Sequence, residues 1–349
     1  MTTAAPPFGV CVSVPAASAG DALQRLGGEG LRDDRYRVHR EDERVLIPVE
    51  RPARAAELLE GARLVETELE HDPRRPPIEI VRERLDPVLD AEQQAAVPTG
   101  WTELGDVLVL RLPDDLHPEA ETVARAYADV LDVSSVVHLE GSSGEFREPE
   151  TRLLCGDEDT ETVHREHGIV YRLDPREVMF SPGNKTERHR LRDEVAPGET
   201  VVDLFAGIGY FALPLASAGA RVIACEANPT AVEFLRENRA LNELGEAIAI
   251  REGDCREGAP SGVADRVHMG YLPGTDAFLE TALDALKPEG GCIHYHDEAP
   301  QPDPIEHGRD LINGHEALAD VDVEIQGARV VKTMGPGHAH VGLDLEVSP

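Results

Sequence analysis

Lysine is nearly absent from this 349-residue chain: only Lys185, Lys287 and Lys332 stand among its 34 bases. Aromatic residues are also thin, at 4%. Cysteine is sparse and scattered (Cys11, Cys155, Cys225, Cys255, Cys292), with no CxxC pair. An odd, dispersed set argues against a disulfide scaffold and a zinc cluster, and reads as small buried thiols. No apolar run approaches the roughly 18 residues a bilayer span requires. The opening MTTAAPPFGVCVSV lacks a basic region followed by a long apolar stretch, so no signal peptide is expected. These absences lead us to expect a soluble, cytoplasmic protein.

Acid is what the chain has in excess. Sixty-seven acidic residues against 34 bases give a net charge of -33. In ordinary buffer such a surface repels nucleic acid. Scarce lysine, abundant Asp and Glu and few aromatics instead suggest a halophilic protein, working where the Debye length is roughly 3 Å. Under that screening acidity no longer excludes a polyanionic partner, and local basic islands matter more than the total. One such island runs from Arg172 to Arg192, with bases at 172, 176, 185, 188, 190 and 192 against acids at 174, 177 and 187. It is a candidate phosphate-binding strip, or else a solvated helix face with internal ion pairs.

Length predicts two or three domains. We divide the chain into a small N-terminal domain (1-70), a middle α+β domain (71-172) and a C-terminal domain (173-349). In the first, FGVCVSV reads as a strand, AASAGDALQRLGG as an amphipathic helix, and YRVHRE with RVLIPVE as a hairpin. HDPRRPP at 71-77 reads as a linker. In the second, strands DVLVLRLP, SSVVHLEG, TRLLCGD, ETVHREHG and IVYRLD accompany the helix PEAETVARAYADVLD. KTERHRLRDEV is then a helix closed by Pro197-Gly198. Beyond 200 strands and helices alternate, which predicts an α/β doubly wound domain of seven strands. The strands are TVVDLF, RVIACE, AIAIREGD, DRVHMG, GGCIHYH, DVDVEIQ and VGLDLEV, with helices near 209-218, 229-241, 275-286 and 307-318.

VVDLFAGIGYFALPLA carries a strand into a glycine loop and a helix. Gly207 and Gly209 permit a tight turn and close approach of a ligand to the backbone. Ala212 replaces the third glycine of a dinucleotide fingerprint, and the strand ends in Asp203, which can itself cap the turn. At the end of the next strand Glu226 can accept both hydroxyls of a ribose. Asp254, ending the third strand, suits an adenine amino group. Three such features at successive strand ends point to S-adenosylmethionine, with Phe205, Ala206, Ala227, Asn228 and Cys255 as neighbours in the same site.

FSPGNKTERHRL, VVDLFAGIGYFALPLA and CEANPTAVEFLRENRALN together resemble the archaeal and eukaryotic enzymes that act on position 37 of tRNA. That group holds the guanosine-37 N1-methyltransferase and the 4-demethylwyosine aminocarboxypropyltransferase of wybutosine synthesis. The resemblance covers most of the chain, including FGVCVSV near the start and VVKTMGPGHAHVGLDLEV at the end. It implies a class I, Rossmann-like catalytic domain behind two small α+β domains. It also implies a tRNA partner whose outer body meets the small domain and whose anticodon-loop base is flipped into the catalytic domain.

Within that family the methylating members carry an Asn-Leu-Pro type motif after the fourth strand. Here Gly270-Tyr271-Leu272-Pro273 stands in its place, with no side-chain amide at Gly270. The transferases are more similar in this block and in FSPGN. The resemblance assigns His268 to the base or to the proton released on carbon substitution, and Asn184 and Glu187 to the methionine arm or the base. It places Phe180 and Ser181 in the cofactor wall. It sets Arg172, Arg176, Lys185 and Arg188 against phosphate or the cofactor carboxylate, with Tyr271 stacking on the base beside Pro273. His294 and His296 share a strand face without a third ligand nearby in sequence, so no metal is expected. Three readings follow: aminocarboxypropyl transfer to tRNA(Phe) by what we take to be a monomer, N1-methylation of guanosine-37, and a non-catalytic RNA-binding protein.

Overall fold

The run Cys11, Val12, Ser13, Val14 is buried at every position because its strand lies inside a sheet covered on both faces. The computed structural model describes residues 8-28, 31-33, 36-59, 61-69, 76-335 and 337-348. The chain divides into two units, Met1–Glu83 and Arg84–Pro349. In the first, β1 (Phe8–Pro15), α1 (Ala19–Gly28), β2 (His39–Glu41), β3 (Arg44–Pro48), α2 (Pro52–Leu58) and β4 (Arg63–Glu68) build an antiparallel sheet of order β2-β3-β1-β4. Leu26 of α1 and Ala55 of α2 pack on Val12 and Ile47 on one face, while Cys11 meets Leu46 and Leu69 on the other. Residues 71-75 of the expected linker lie outside the described residues.

The boundary between the units falls within α3 (Pro77–Leu85), and α4 (Ala91–Ala96) follows in the second. β5 (Thr102–Leu104), β6 (Val107–Leu110), β7 (Ser135–Ser143) and β8 (Glu148–Gly156) form a mixed sheet in that order, covered by α5 (Ala120–Leu131). The helix expected from Pro118 starts at Ala120 instead. Pro118 sits in a 3₁₀ turn, Asp114–Glu119, that delivers the chain to it. β9 (Thr162–Glu166) and β10 (Ile169–Leu173) make a hairpin, and α6 (Lys185–Glu194) follows.

The remaining elements are β11 (Thr200–Asp203), α7 (Ala212–Ser217), β12 (Arg221–Glu226), α8 (Pro229–Leu241), β13 (Ile248–Glu252), α9 (Cys255–Gly258), β14 (Arg266–Met269), α10 (Leu279–Ala285), β15 (Gly291–Pro300), α11 (Pro304–Gly314), β16 (Asp322–Gly335) and β17 (His338–Ser348). They form the expected seven-stranded sheet, ordered β13-β12-β11-β14-β15-β17-β16. β11 to β15 are parallel, and β17 and β16 pair antiparallel at the edge. Alternation along β11 sends Val201 to a core with Leu191, Leu213 and Leu235, and Val202 to a core with Ala282, Ile293 and Ile312. Both faces are thus covered, as the near-continuous apolar strands require. β16 runs nine residues beyond the expected Gln326. Register shifts at Ile325/Gly327, Val330/Lys332 and Thr333/Gly335 reset its alternation, so a period-two pattern does not survive in the sequence.

The β9-β10 hairpin and α6 are locked by an ion pair. Arg188 Nε and Nη2 donate to the two Glu166 carboxylate oxygens at 2.8 and 2.7 Å, and Arg188 is only 2% exposed. Glu166→Gln leaves a buried guanidinium without its counter-charge. We expect a loss of about 3–5 kcal/mol, measured as a lowered urea midpoint in molar salt.

Candidate active site

The glycine loop is tied to the neighbouring strand by one carboxylate. Gly207 and Gly209 adopt left-handed φ values of 55° and 102°. A Cβ on Gly207 would lie 2.1 Å from the Tyr210 ring, so that position has to be glycine. The Gly207 N–H donates to Glu226 Oε2 at 2.7 Å, and the Asn228 N–H to Oε1 at 2.8 Å. Burial raises the Glu226 carboxyl above its ordinary range, and the backbone donors only partly oppose this. Asn228 Oδ1 accepts from Thr230 N at 3.0 Å and caps α8.

These elements wall a cavity of about 380 Å³. Of the sequence-derived residues, Ser181, Asn184, Arg188, Phe205, Gly207, Glu226, Ala227, Asn228, Asp254, Cys255, His268 and Tyr271 line it. Phe180 stands behind, its ring 5.7 Å from that of Tyr210, which does line the cavity. Ala206 and Gly209 shape the turn; the Ala206 N–H donates to Cys225 O at 2.9 Å. Asp254 shares its carboxylate between the N–H of Arg256 (2.8 Å) and the guanidinium of the same residue (2.5 Å). Any adenine amino group has to share that acceptor.

Several assignments need correcting. Asp203 is wholly buried and does not line the cavity. Its Oδ1 takes the Phe205 N–H at 3.3 Å and lies 3.1 Å from His268 Nδ1, so it caps the turn and orients the histidine. Glu187 does not itself line the cavity: it is held in ion pairs with Arg190 and Arg329, and its Oε1 lies 3.5 Å from Nε2 of the cavity-lining His296. Burial would raise its carboxyl, but those guanidinium bonds outweigh it and hold it low. Half of the basic strip is neutralised by ion pairs, while Arg192 donates, among the described residues, only to the backbone oxygen of His167. Arg172 pairs with Glu161 and Glu237, Arg188 with Glu166, and Arg190 with Glu187, Glu194 and Asp344. Arg176 donates to Glu158 O, and Lys185 is exposed at the start of α6, outside the cavity. Tyr271 is not a free stacking surface. Its ring stacks on Phe205 at 5.5 Å, and the Arg147 guanidinium lies 4.7 Å from its centre. Pro273 lies outside the lining; its carbonyl accepts from Arg147 Nη2 at 3.3 Å.

Sequence reasoning missed a histidine wall. His268, His296 and His340 are each at most 3% exposed, and all line the cavity. Ring centroids of His268 and His296 lie 5.3 Å apart, those of His296 and His340 5.1 Å. His296 Nδ1 and His340 Nε2 share a hydrogen bond of 3.0 Å. Burial lowers the His340 pKa to about 3 and takes His296 well below its ordinary value, so both are neutral at pH 7. His268 Nε2, His340 Nδ1 and Asn184 Oδ1 have no hydrogen-bond partner among the described residues. Such orphaned atoms suit a polar ligand. The signal available was the strand pair HYH and HAH, whose alternate residues share a face. The third ligand not found near His294 in sequence comes from other elements, since Glu194 and Asp344 bring donor atoms within 4.8 Å of it and of each other. Arg190 and Arg329 already occupy those carboxylates.

If Glu226 accepts from the cofactor as expected, its raised pKa makes binding pH-dependent. Its ionised form is the acceptor, and its raised pKa means that form is lost earlier on acidification than for an ordinary glutamate. Affinity for S-adenosylmethionine should be flat above that pKa and fall as pH drops through it. Glu226→Gln should weaken binding roughly 10- to 100-fold and flatten the profile, both measured by isothermal titration calorimetry.

Residues 162–324 match the TRM5/TYW2 methyltransferase domain, and residues 81–160 the TYW2 N-terminal domain. The chain is 39% identical over 272 residues to the tRNA(Phe) (4-demethylwyosine(37)-C(7)) aminocarboxypropyltransferase of Pyrococcus horikoshii, covering 76% of this chain and 96% of that protein. It is 34% identical over 345 residues to the tRNA (guanine(37)-N(1))-methyltransferase Trm5b of Pyrococcus abyssi, covering 97% and 99%. The crystal structure of Pyrococcus abyssi Trm5b superposes with a TM-score of 0.71 at 33% identity, over 98% of this chain and all of that one. Pyrococcus horikoshii TYW2 in complex with MeSAdo gives 0.67 at 38% identity, over 78% and 99%. Matched along nearly the whole length of relatives above 30% identity, and superposing on their solved structures, the chain belongs to the TRM5/TYW2 family.

Proposed function

We propose that this chain transfers the 3-amino-3-carboxypropyl group of S-adenosylmethionine to C7 of 4-demethylwyosine at position 37 of tRNA(Phe), releasing methylthioadenosine, in wyosine-derivative biosynthesis. The cofactor supplies, when bound, a sulfonium that activates its methyl carbon, its arm γ-carbon and ribose C5′; alignment with the nucleophile selects among them. Glu226 accepts from the ribose hydroxyls, Asp254 and Cys255 border the adenine, and Ser181 and Asn184 border the arm. As the new C–C bond forms at C7 and the C–S bond breaks, the C7 proton passes to His268 Nε2. Asp203, on Nδ1, fixes the tautomer that leaves this acceptor free.

Gly270 carries the choice of reaction. It lines the cavity beside His268 and has no left-handed φ. A Cβ there would meet only ordinary contacts, at 3.4 Å from His296 Cβ and 3.9 Å from His268 Cε1. Backbone strain and space therefore do not demand the glycine. Its effect is to remove any amide that would hold an amine and to leave the histidine wall open to the substrate.

One observation favours N1-methylation of guanosine-37 as a second reading. The match to Trm5b includes the N-terminal unit, whereas that to the Pyrococcus horikoshii transferase spans 76% of the chain. In our reading, residues 1-70 contact the outer tRNA body, 71-172 bridge, and 173-349 hold the cofactor. The protein works as a monomer in a high-salt cytoplasm, where screening lets an acidic chain approach RNA.

Incubating tRNA with cofactor labelled in either the carboxyl or the methyl carbon separates the readings. Label should enter tRNA only from the carboxyl position, in molar salt; entry only from the methyl position would establish the second reading. His268→Ala should lower kcat roughly 10²- to 10⁴-fold while leaving the cofactor dissociation constant within about twofold.

A further inference from the structure

An aspartate inside a covered strand is unusual, because a carboxylate taken out of water is unfavourable unless well bonded. Asp297, in the last half of β15, is 6% exposed and meets that condition. Its Oδ1 accepts the N–H groups of Gly274 (3.2 Å) and Glu298 (2.7 Å). Its Oδ2 accepts the Thr275 N–H (3.2 Å) and the Tyr295 hydroxyl (2.7 Å). Four donors fill what an ionised carboxylate can accept. Two of them stand at the far end of the 270-274 loop, whose Gly270, Tyr271 and Leu272 line the cavity. Gly274 turns left-handed there, at φ 99°, and brings its N–H and the next to the carboxylate. Alternation along β15 puts Tyr295 and Asp297 on one face and His296, which lines the cavity, on the other. Anchor and histidine wall are thus consecutive residues of one strand. The bonds that tie this loop to the β7-β8 turn, from the Tyr271 hydroxyl to Glu145 O and from Arg147 to Pro273 O, are exposed. The bond from Thr275 to Asp297 is buried, where a hydrogen bond is electrostatically stronger.

We propose that Asp297 is a positioning residue for the transfer: by holding Gly274 and Thr275 it fixes the 270-274 loop against the histidine wall, and so sets which cofactor carbon the substrate meets. A Cβ at position 270 would touch both His296 and His268, so the loop and the wall are in close register. A loop loosened at its far end shifts along that wall. A displacement of about an ångström is enough to change which of the three activated carbons lies in line with the nucleophile. Asp297 does not line the cavity and acts through the backbone of five residues. Its charge matters because no neutral side chain of the same shape accepts from all four donors. The inference rests on the transfer from S-adenosylmethionine to RNA proposed above, and holds whichever group wild type transfers.

The test supplies the full chain, in molar salt, with tRNA and cofactor labelled in either the carboxyl or the methyl carbon, and reads the ratio of the two labels entering RNA. Asp297→Asn keeps the shape of the side chain but turns an amide NH2 on two of the four donors. Its ratio should move roughly 10- to 100-fold toward the label that wild type excludes, while affinity for S-adenosylhomocysteine stays within about twofold. Loss of folded protein lowers the total label and leaves the ratio alone, so a merely structural role does not move it. Tyr295→Phe removes one donor and spares both loop bonds, and its ratio should match wild type. If Asp297→Asn does not fold, Asp297→Glu keeps the charge on an arm one methylene longer, and its ratio should move in the same direction. An unchanged ratio in Asp297→Asn, or in Asp297→Glu where the first variant does not fold, overturns the proposal. An equal shift in Tyr295→Phe does so too, because the effect then belongs to core packing. Methyl label alone from wild type would reject the aminocarboxypropyl reading and leave Asp297 to be judged by the same ratio.

Discussion

Everything at the site depends on Glu226 reaching from the end of β12 to the backbone of the neighbouring loop. Its two oxygens each take a backbone N–H, one from Gly207 and one from Asn228. The first bond sets the glycine turn and the second the start of α8, so one carboxylate ties two walls of the cavity together. A buried carboxylate is unfavourable unless well bonded. The same burial that raises its pKa makes it a strong acceptor for whatever hydroxyls enter. On the adjacent strand, β11, Asp203 acts in a similar way by joining the loop to His268 on β14.

A second layer lies behind the histidine wall. Glu187 and Asp344 hold Arg190 and Arg329 between α6, β16 and β17, and His294 closes the group at 2.7 Å from Asp344. Burial would raise the Asp344 carboxyl, but the bonds from His294 and Arg329 hold it far below the usual range. Interior pairs of this kind are little screened, while surface acid repulsion fades with salt. The chain therefore separates its charges into a salt-screened exterior and interior pairs that salt screens much less.

Much of this was legible in the residues. The seven strands, the glycine turn and the strand-end acids follow from local pattern, because strand period and loop conformation are set within a few residues. What escaped was decided by partners distant in sequence. Arg188 reads as a surface cation until Glu166 is found beside it, and Glu187 as a residue for the methionine arm or the base until Arg329, 142 residues away, closes on it. Tyr271 reads as a stacking residue until Phe205 and Arg147 are seen around it. The histidine wall draws on β14, β15 and β17, and alternation in one strand cannot show that three strands bring their rings together. The bulged β16 was underestimated for a simpler reason: each bulge shifts which residues face inward.

The turn between β7 and β8 has a consequence for how this protein can be divided. Family models meet at residues 160 and 162, as though two modules were joined there. Yet Glu145 and Arg147 grip the loop that carries Gly270, and the turn itself lines the cavity. A segment cut at that joint keeps its cofactor cradle and loses one lip of its own mouth. Exchange of the middle segment between relatives would accordingly transplant a piece of the reaction chamber along with it.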